Sequence, residues 1–430
     1  MMRKIQLAPT ATLFHADCRD ALRAMADCSV DAVVTDPPYE LNFMGKGWDN
    51  TGIANDPALW AEVFRVLKPG GHVAAFSASR TYHRMACAIE DAGFEIRDSL
   101  MWVYGTGFPK SQDVSKFIDK MAGAEREVIG QDRNFGKSKA ADGKNAFGDY
   151  AGTWDITAPA TPATPAAQEW EGWGTALKPA FEPIVLARKP LSEGTVAANV
   201  LRWRTGALNI DGCRVATTDH LGGCGYNTAG TSQKNLANAT SFATKVMDRE
   251  FVQPEGRWPA NVVHDGSDEV VGAFPHTNGS KRGVKDPNGS MGYHGGASGL
   301  PGVVGGYDDA GGSAARFFYS AKASKADRNG SKHPTVKPIS LMEWLCTLIT
   351  PPGGTVLDPF AGSGTTGIAA QNKGFQVVLC EREAEYVTDI KARFAGSSPG
   401  ERHQVYALRA HRRSRRKAGA PTSLSRQVWG

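Results

Sequence analysis

Short apolar segments alternate with helix-length amphipathic segments in two parts of the chain, and this alternation is the strongest constraint on its fold. Before residue 105 and after residue 332 the apolar runs are rich in β-branched residues and are closed by Pro or Gly. Strands that alternate with helices form a parallel sheet with helices on both faces. The predicted strands are residues 12–15, 30–35, 71–77, 94–104, 181–189, 355–357 and 376–380, and the predicted helices are residues 57–67, 81–92, 111–121, 337–349, 364–373 and 383–394.

The middle of the 430-residue chain is polar and rich in Gly, Asn and Ser, unlike the two α/β segments that flank it. Within it, residues 157–165 carry Pro at every third position, which is typical of an extended linker. Two α/β segments separated in this way most simply join into one sheet that carries an inserted region.

A strand, a glycine-rich turn and the start of a helix follow one another in residues 355–366. Glycines let the backbone approach a ligand closely, and the start of the helix presents unpaired N–H groups to an anion. Glu381 ends the next predicted strand, where a carboxylate accepts hydrogen bonds from ribose hydroxyls in doubly wound nucleoside-binding folds. The pattern favours a nucleoside-type cofactor, and a helix cap beside a surface acid is the alternative.

The tetrapeptide Asp36-Pro37-Pro38-Tyr39 follows a predicted strand that is apolar enough to be buried. Each Pro lacks an N–H, so this turn offers a carboxylate and carbonyls that only accept hydrogen bonds. Such a pair of acceptors could hold both hydrogens of an –NH2 group, and the ring of Tyr39 could stack on a flipped base. The alternative interpretation is a tight turn that ends in a core tyrosine.

Asp-Pro-Pro-Tyr placed before Phe360-Ala-Gly-Ser-Gly resembles the β group of amino-methylating DNA methyltransferases. In that group the catalytic motif precedes the recognition region and the cofactor motif follows it. Residues 15–22 and 333–338 resemble two further motifs of the family, whereas residues 177–183 and 256–261 resemble segments of its phage- and prophage-type members. Four motifs in the right order make the resemblance specific over residues 1–105 and 332–394, and patchy between them.

The resemblance implies a Rossmann-like, seven-stranded methyltransferase sheet, mostly parallel with one antiparallel strand, and S-adenosylmethionine as cofactor. Residues 94–104 and 181–189 would be its final hairpin. The implied parts are residues 1–105 (catalytic half), 106–180 (long loop insertion), 181–190 (returning strand), 191–331 (target-recognition region), 332–396 (cofactor half) and 397–430 (basic tail). The implied catalytic residues are Asp36, Pro37, Pro38 and Tyr39. The implied cofactor-binding residues are Ala16, Asp17, Cys18, Asp36, Thr335, Lys337, Pro338, Asp358, Pro359, Phe360, Gly362, Ser363, Gly364, Thr365, Thr366, Glu381 and Arg382, with Asp17 near the adenine and both Thr335 and Lys337 near the methionine carboxylate.

In the family that the chain resembles, enzymes with Asp-Pro-Pro-Tyr usually methylate adenine N6. Cytosine N4 is the alternative, because either amine satisfies the same acceptors. A DNA-binding relative without activity and a methyltransferase for RNA or a protein amide are further alternatives. Double-stranded DNA is the expected partner of a solitary modification enzyme, and a homodimer is left open. The middle of the chain supplies candidate DNA contacts, which are Arg202, Arg204 and Arg257 first, and then Arg214, Lys234, Asn235, Lys281 and Arg282.

The 7 cysteines never form a C-x-x-C pair, which argues against a zinc site and a disulfide framework. The apolar runs are too short to span a bilayer. We therefore expect a cytoplasmic protein without a metal.

Residues 402–417 hold seven Lys or Arg and no acid, so the other residues carry a net charge of about +5 − 7 = −2. This segment is either a solvated extension or an arm that binds DNA phosphates.

Deleting the residues after Gly400 should weaken DNA binding and reduce the slope of log K against log[salt], because fewer phosphates are neutralised. Titrations of a labelled duplex at several salt concentrations measure both quantities. A full-length variant with Gln at the seven basic positions separates charge from length. An unchanged slope in both variants would contradict a phosphate-binding role.

Overall fold

A computed structural model describes residues 2–41, 49–105, 107, 111–127, 160–219, 221, 254–279, 311–321, 327, 331 and 336–396. Its strands are β1 (Arg3–Ala8), β2 (Ala11–His15), β3 (Val30–Thr35), β4 (Leu67–Phe76), β5 (Glu95–Val103), β6 (Phe181–Arg188), β7 (Val262–His264), β8 (His276–Thr277), β9 (Gly312–Ser313), β10 (Tyr319–Ser320), β11 (Thr355–Asp358) and β12 (Gln376–Glu381). Its α-helices are α1 (Cys18–Arg23), α2 (Pro57–Val66), α3 (Tyr82–Asp91), α4 (Val114–Met121), α5 (Pro165–Glu169), α6 (Val196–Trp203), α7 (Asp268–Ala273), α8 (Ile339–Ile349), α9 (Thr365–Asn372) and α10 (Ala384–Ala395).

One sheet in the order β1-β2-β12-β11-β3-β4-β6-β5-β7-β10 forms the centre of the described protein. Its strands from β2 to β4 run parallel, and β6 runs antiparallel between β4 and β5. The mostly parallel α/β fold is therefore confirmed. The predicted hairpin is also present, since β5 pairs with β6 from Glu95–Arg188 to Val103–Phe181.

The sheet has ten strands rather than seven, so the predicted strand number is wrong. The predicted seven form its core, β2 to β5 in spatial order, and further strands lengthen both edges. At one edge β1 pairs antiparallel with β2 through a two-residue connection, so a second antiparallel strand is present. At the other edge β7 and β10, which come from the polar middle of the chain, add in parallel to β5. Strands of two or three residues carry too short an alternation for the sequence to reveal.

Alternate residues of β3 supply two separate cores, one on each face of the sheet. Ala32 and Val34 pack with the apolar faces of α8, α9 and α10, whereas Val33 packs with those of α1, α2 and α3. Because both faces are covered, all six residues of β3 are buried. This explains why the sequence there reads as an apolar run ending abruptly at Asp36.

The parallel strands all end along the same side of the sheet, its carboxyl edge, where ligands bind in open α/β folds. Asp36 follows β3, Asp358 ends β11 and Glu381 ends β12. Because β6 is antiparallel, it begins at this same edge, beside the end of β4, where Ile184 pairs with Phe76. Residues from the start of β6 therefore join those that follow the other strands.

Part of the predicted insertion folds as a small helical unit. Asp119 of α4 accepts hydrogen bonds from the backbone of Ala163 and Thr164 at 2.9 and 3.0 Å, and from the side chain of Arg126 at 2.7 Å. Pro165 is the first residue of α5. The predicted extended linker is therefore wrong for its last residue, because Pro also suits the first turn of a helix.

Within the described residues, none of the helices is long and apolar enough to cross a membrane. In the same part of the chain, no three His, Cys, Asp or Glu side chains group so that they could hold a metal ion.

Replacing Leu186 with Ala should lower the free energy of unfolding by about 2–5 kcal/mol, because a cavity is left in a packed core. Leu186 of β6 is 4% exposed. Leu201 of α6 is 88% exposed, and its Ala variant, the matched control, should change stability by less than about 0.5 kcal/mol. Urea unfolding measures both variants. Equal effects would contradict the central position of β6.

Candidate active site

Asp36 lies where β3 leaves the buried core, and its two carboxylate oxygens have different surroundings. Oδ2 lies 2.8 Å from the Nζ of Lys337. Oδ1 is buried, and none of the described residues gives it a hydrogen-bond partner. A buried acceptor without a donor is costly unless a ligand supplies one. Asp36 is therefore anchored through one oxygen, and its other oxygen can accept a hydrogen bond from a ligand.

The ammonium of Lys337 is at the centre of this site, two residues before α8. It lies 2.8 Å from Asp36 Oδ2 and 3.1 Å from Glu182 Oε2, and donates to the Tyr39 hydroxyl at 2.9 Å. An ammonium has three N–H donors, so all three have a partner. Burial lowers the pKa of Lys337, but the two carboxylates outweigh it and raise this pKa above its ordinary value. Lys337 is therefore a fixed cation.

Tyr39 is held at both its hydroxyl and its backbone. Its hydroxyl donates to Glu182 Oε2 at 2.9 Å, and its carbonyl accepts from the side chain of Thr81 at 2.8 Å. Burial and the nearby carboxylates of Asp36 and Glu182 raise the pKa of the phenol well above its ordinary value. Tyr39 therefore stays neutral, and its ring is fixed beside Asp36.

Glu182 is a member of this site that the motif analysis did not identify. It is the second residue of β6, whose later residues are buried and mostly apolar. The antiparallel direction of β6 is what brings it to the edge where Asp36 lies. The sequence signal was a carboxylate near the start of a mostly apolar strand. Interpreting that signal required the direction of the strand, which the sequence does not show.

The glycine turn is built at the end of β11, the strand next to β3. Gly362 and Gly364 have φ values of 50° and 74°, in the left-handed region that favours glycine. A Cβ on Gly364 would also lie 3.0 Å from the side chain of Ile390. The sequence pattern of small residues here is thus required by the backbone and by its packing on α10.

Arg393 of α10 donates hydrogen bonds to this turn. This residue was not identified from the sequence. It is 1% exposed. Its guanidinium donates to the carbonyl of Ser363, to the Thr365 hydroxyl at 3.2 Å and to the carbonyl of Asp327 at 2.7 Å. An Arg in the last turn of a surface helix is common, so nothing in its spacing marks this role.

Glu381 lies beside the glycine turn, with its carboxylate 2.8 Å from the Gly362 N–H and 2.7 Å from that of Glu383. Burial raises the pKa of this carboxyl to about 7, although these backbone hydrogen bonds lower it. The start of α1 is adjacent, since the Ala16 N–H donates to the Glu381 carbonyl at 3.0 Å. The Arg19 side chain holds the pKa of Asp17 below its ordinary value.

Asp358 is buried beneath the turn and joins β11 to β3. It accepts from the Thr35 hydroxyl at 2.7 Å and from the Phe360 N–H at 3.0 Å. Burial raises its pKa to about 6 against the effect of these hydrogen bonds. The structure therefore places Asp358 as a support for the turn, with 1% of its surface exposed.

The structure brings most of the predicted site residues to one edge of the sheet, in two adjacent groups. Lys337 lies beside Asp36, where its three donors have partners, and its predicted role near the methionine carboxylate stays a prediction. The residues brought together are Ala16, Asp17, Cys18, Asp36, Pro37, Pro38, Tyr39, Lys337, Pro338, Asp358, Pro359, Phe360, Gly362, Ser363, Gly364, Thr365, Thr366, Glu381 and Arg382. Thr335, Lys234, Asn235, Lys281, Arg282 and the basic tail lie outside the described residues.

Two of the three preferred DNA contacts lie away from this edge. Arg202 and Arg204 are at the end of α6, which packs beside the start of β4 through a hydrogen bond from Asn199 to the Pro69 carbonyl. Arg204 donates to the carbonyl of Pro352, just before β11 begins. The structure therefore does not bring Arg202 or Arg204 near Asp36.

Arg257, the third of these contacts, is held within the inserted region. Its guanidinium lies 2.6 Å from Asp219 and 4.4 Å from the centroid of the Phe317 ring. Its role in binding DNA stays a prediction.

A family model described as DNA methylase matches residues 30–392. The type II methyltransferase M.HindIII of Haemophilus influenzae is 27% identical over 174 residues, which are 40% of this chain and 40% of that protein. The type II methyltransferase M2.DpnII of Streptococcus pneumoniae is 39% identical over 69 residues, which are 16% of this chain and 26% of that protein. The matched regions span less than half of either relative.

Among solved structures, the PvuII DNA methyltransferase, described as cytosine-N4-specific, aligns with 13% identity. The alignment covers 93% of this chain and 92% of that one, with a TM-score of 0.43.

Replacing Glu381 with Gln should change how stability depends on pH. The folded-state pKa of about 7 lies above the ordinary 4.5. A raised carboxyl pKa favours folding fully below the unfolded value, and this contribution is lost as the pH rises through the folded value. The free energy of unfolding of the natural protein should therefore fall relative to that of E381Q between about pH 4.5 and about pH 7.5.

Urea unfolding across this pH range measures the difference. Glu381 accepts from two backbone N–H groups, one at each carboxylate oxygen, and Gln offers only one oxygen. The E381Q variant should therefore lose a constant amount of stability at every pH. Glu385 is exposed in the first turn of α10, and E385Q serves as the matched control. Parallel curves for E381Q and the natural protein would contradict the raised pKa.

Proposed function

We propose that this chain, which belongs to the DNA methylase family, transfers a methyl group from S-adenosylmethionine to adenine N6 of a base flipped out of duplex DNA. The observation that carries this proposal is the buried Asp36 Oδ1, which has no donor among the described residues. An exocyclic amine is a donor that would satisfy it.

The chain's own residues would hold the amine and prepare its nitrogen. Asp36 Oδ1 accepts one N–H, and a carbonyl of the Pro37-Pro38 turn accepts the other. Accepting both hydrogens leaves more electron density on nitrogen, and Asp36 takes the proton that nitrogen loses and passes it to solvent. The Tyr39 ring stacks on the flipped base, a contact worth about 1–3 kcal/mol. Positioning of the amine supplies most of the catalysis.

The residues around the glycine turn fit S-adenosylmethionine. Left-handed Gly362 and Gly364 let the backbone approach the ligand, and the Glu381 carboxylate can accept ribose hydroxyls. Asp17, at the start of α1, lies next to Glu381 and suits the adenine end. When bound, the cofactor supplies a methyl carbon on a sulfonium, and the electron pair of the broken C–S bond stays on sulfur.

Charge also favours a sulfonium beside Asp36. The two carboxylates and one ammonium of the Asp36, Glu182 and Lys337 cluster sum to −1 + −1 + 1 = −1. Since the cluster is mostly buried, water weakens this charge little, and the charge acts strongly on a nearby cation.

Adenine is the proposed target because Asp occupies the first position of the tetrapeptide, following the family habit. Cytosine N4 presents the same two hydrogens to the same acceptors, so the clamp alone accommodates either base. Arg257 and the basic segment at residues 402–417 are the proposed DNA contacts, with a phosphate-binding role for the latter.

Replacing Asp36 with Ala should reduce methyl transfer by at least about 1,000-fold, because the amine loses its ionised acceptor. Cofactor affinity should fall by no more than about tenfold, because the glycine turn and Glu381 are untouched and only the cluster's charge near the sulfonium is lost. Transfer of labelled methyl groups to duplex DNA and calorimetric titration with the cofactor measure the two quantities.

Asp91, exposed at the end of α3, provides a matched control as D91A, which should retain activity. Turnover of D36A within about tenfold of the natural protein would contradict the proposed role of Asp36.

A further inference from the structure

The cluster around Lys337 contains one carboxylate more than is needed to neutralise a single ammonium. Glu182 Oε2 lies 3.1 Å from Lys337 Nζ, nearly as close as the 2.8 Å of Asp36 Oδ2. The side chain of Glu182 is 18% exposed and that of Asp36 is 21% exposed. Two half-buried carboxylates that share one cation repel each other, so their persistence calls for a function.

We propose that Glu182 is a positioning residue for methyl transfer: it draws Lys337 away from Asp36 Oδ1 and keeps the cluster at a net charge of −1. The inference rests on the function proposed above and deepens it. It assigns to β6 a residue that acts on the amine through Lys337 without touching the base.

The geometry shows how Glu182 would control Lys337. Lys337 divides its three donors among Asp36 Oδ2, Glu182 Oε2 and the Tyr39 hydroxyl. Without an acceptor at Glu182, the ammonium has a free donor next to a carboxylate whose Oδ1 has no partner. That donor would turn to Oδ1 and occupy the acceptor that the target amine needs.

The charge of Glu182 matters for the reaction as well. The amine nitrogen becomes more positive as it forms the N–C bond, so a neighbouring negative charge stabilises the transition state. With Glu182 neutral, the charges of Asp36 and Lys337 would cancel. Charge lost from a site screened from water has a larger effect than charge lost in solvent.

The groups that face this cluster come from several elements. Tyr39 lies within it, Tyr104 follows β5 and interacts electrostatically with Glu182 and Lys337, and Asp358 ends β11 and interacts with Asp36. Burial raises the pKa of Tyr104 to about 12, so it stays neutral. Among the described residues, Glu182 is thus the carboxylate in direct contact with Lys337 besides Asp36.

The E182Q variant leaves a neutral oxygen that can still accept from Tyr39 but holds the Lys337 ammonium less strongly than a carboxylate does, so Lys337 can turn towards Asp36 Oδ1. Its kcat should fall about 10- to 100-fold, whereas KM for DNA should change by less than about threefold.

Glu95 offers a matched control at the opposite end of the same strand pair. It forms an ion pair with Arg188 of β6 at 2.6 Å, beside the starts of the parallel strands. The E95Q variant removes a Glu charge from a neighbouring strand of the same sheet, and should leave both kcat and KM for DNA unchanged.

The double variant E182Q/K337M gives the decisive measurement. Its cluster again carries −1, from Asp36 alone, and no ammonium competes for Oδ1. We expect it to be at least about fivefold more active than E182Q, as judged by labelled methyl transfer to duplex DNA.

The outcomes separate the two proposals. Full activity of E182Q, or a folded double variant no more active than folded E182Q, would overturn the positioning role while the natural protein still methylates DNA. Should E182Q not fold, the folded double variant decides: activity within about tenfold of the natural protein supports the role, and a larger loss overturns it. A natural protein that transfers no methyl group to DNA would overturn both proposals.

Discussion

The ammonium of Lys337 is the constraint around which this site is arranged. A cation that is only 7% exposed must find compensating charge, and here it contacts Asp36, Glu182 and Tyr39. Asp36 and Tyr39 come from the turn that follows β3, whereas Glu182 is the second residue of β6, 143 residues after Tyr39. They meet because β6 runs opposite to its neighbours. The direction of one strand thus determines which acids surround the tetrapeptide from Asp36 to Tyr39.

A second buried contact connects this cluster to the glycine turn. Asp358 accepts from Thr35, the residue just before Asp36, at 2.7 Å, and also holds the Phe360 N–H. Because β11 lies next to β3 in the sheet, the two motifs end side by side although more than 300 residues separate them. The proposed amine clamp and the proposed cofactor site are therefore connected through the core, and Arg393 donates hydrogen bonds to the turn from α10.

Much of the fold was predictable from the sequence, because long apolar runs and their Pro or Gly ends set the elements locally. Residues 30–35 are the clearest case, since the predicted strand and β3 coincide. The edge strands β7 and β10 could not be found, because two or three residues carry no periodic signal. The family resemblance inferred from motif order is confirmed by the match over residues 30–392. The position of Glu182 depends on the direction of β6, and that of Arg393 depends on its burial, so the sequence could not identify either residue.

Asp36, held by Lys337 beside Glu182, is proposed to bind an exocyclic amine of DNA for methylation. Mass spectrometry of nucleosides from duplex DNA, incubated with the protein and isotopically labelled S-adenosylmethionine, tests this proposal. We expect label in N6-methyldeoxyadenosine. Label in N4-methyldeoxycytidine would support the amine clamp and correct the base, whereas label on a ring carbon, or none in DNA, would show that Asp36 does not hold a DNA amine for methylation.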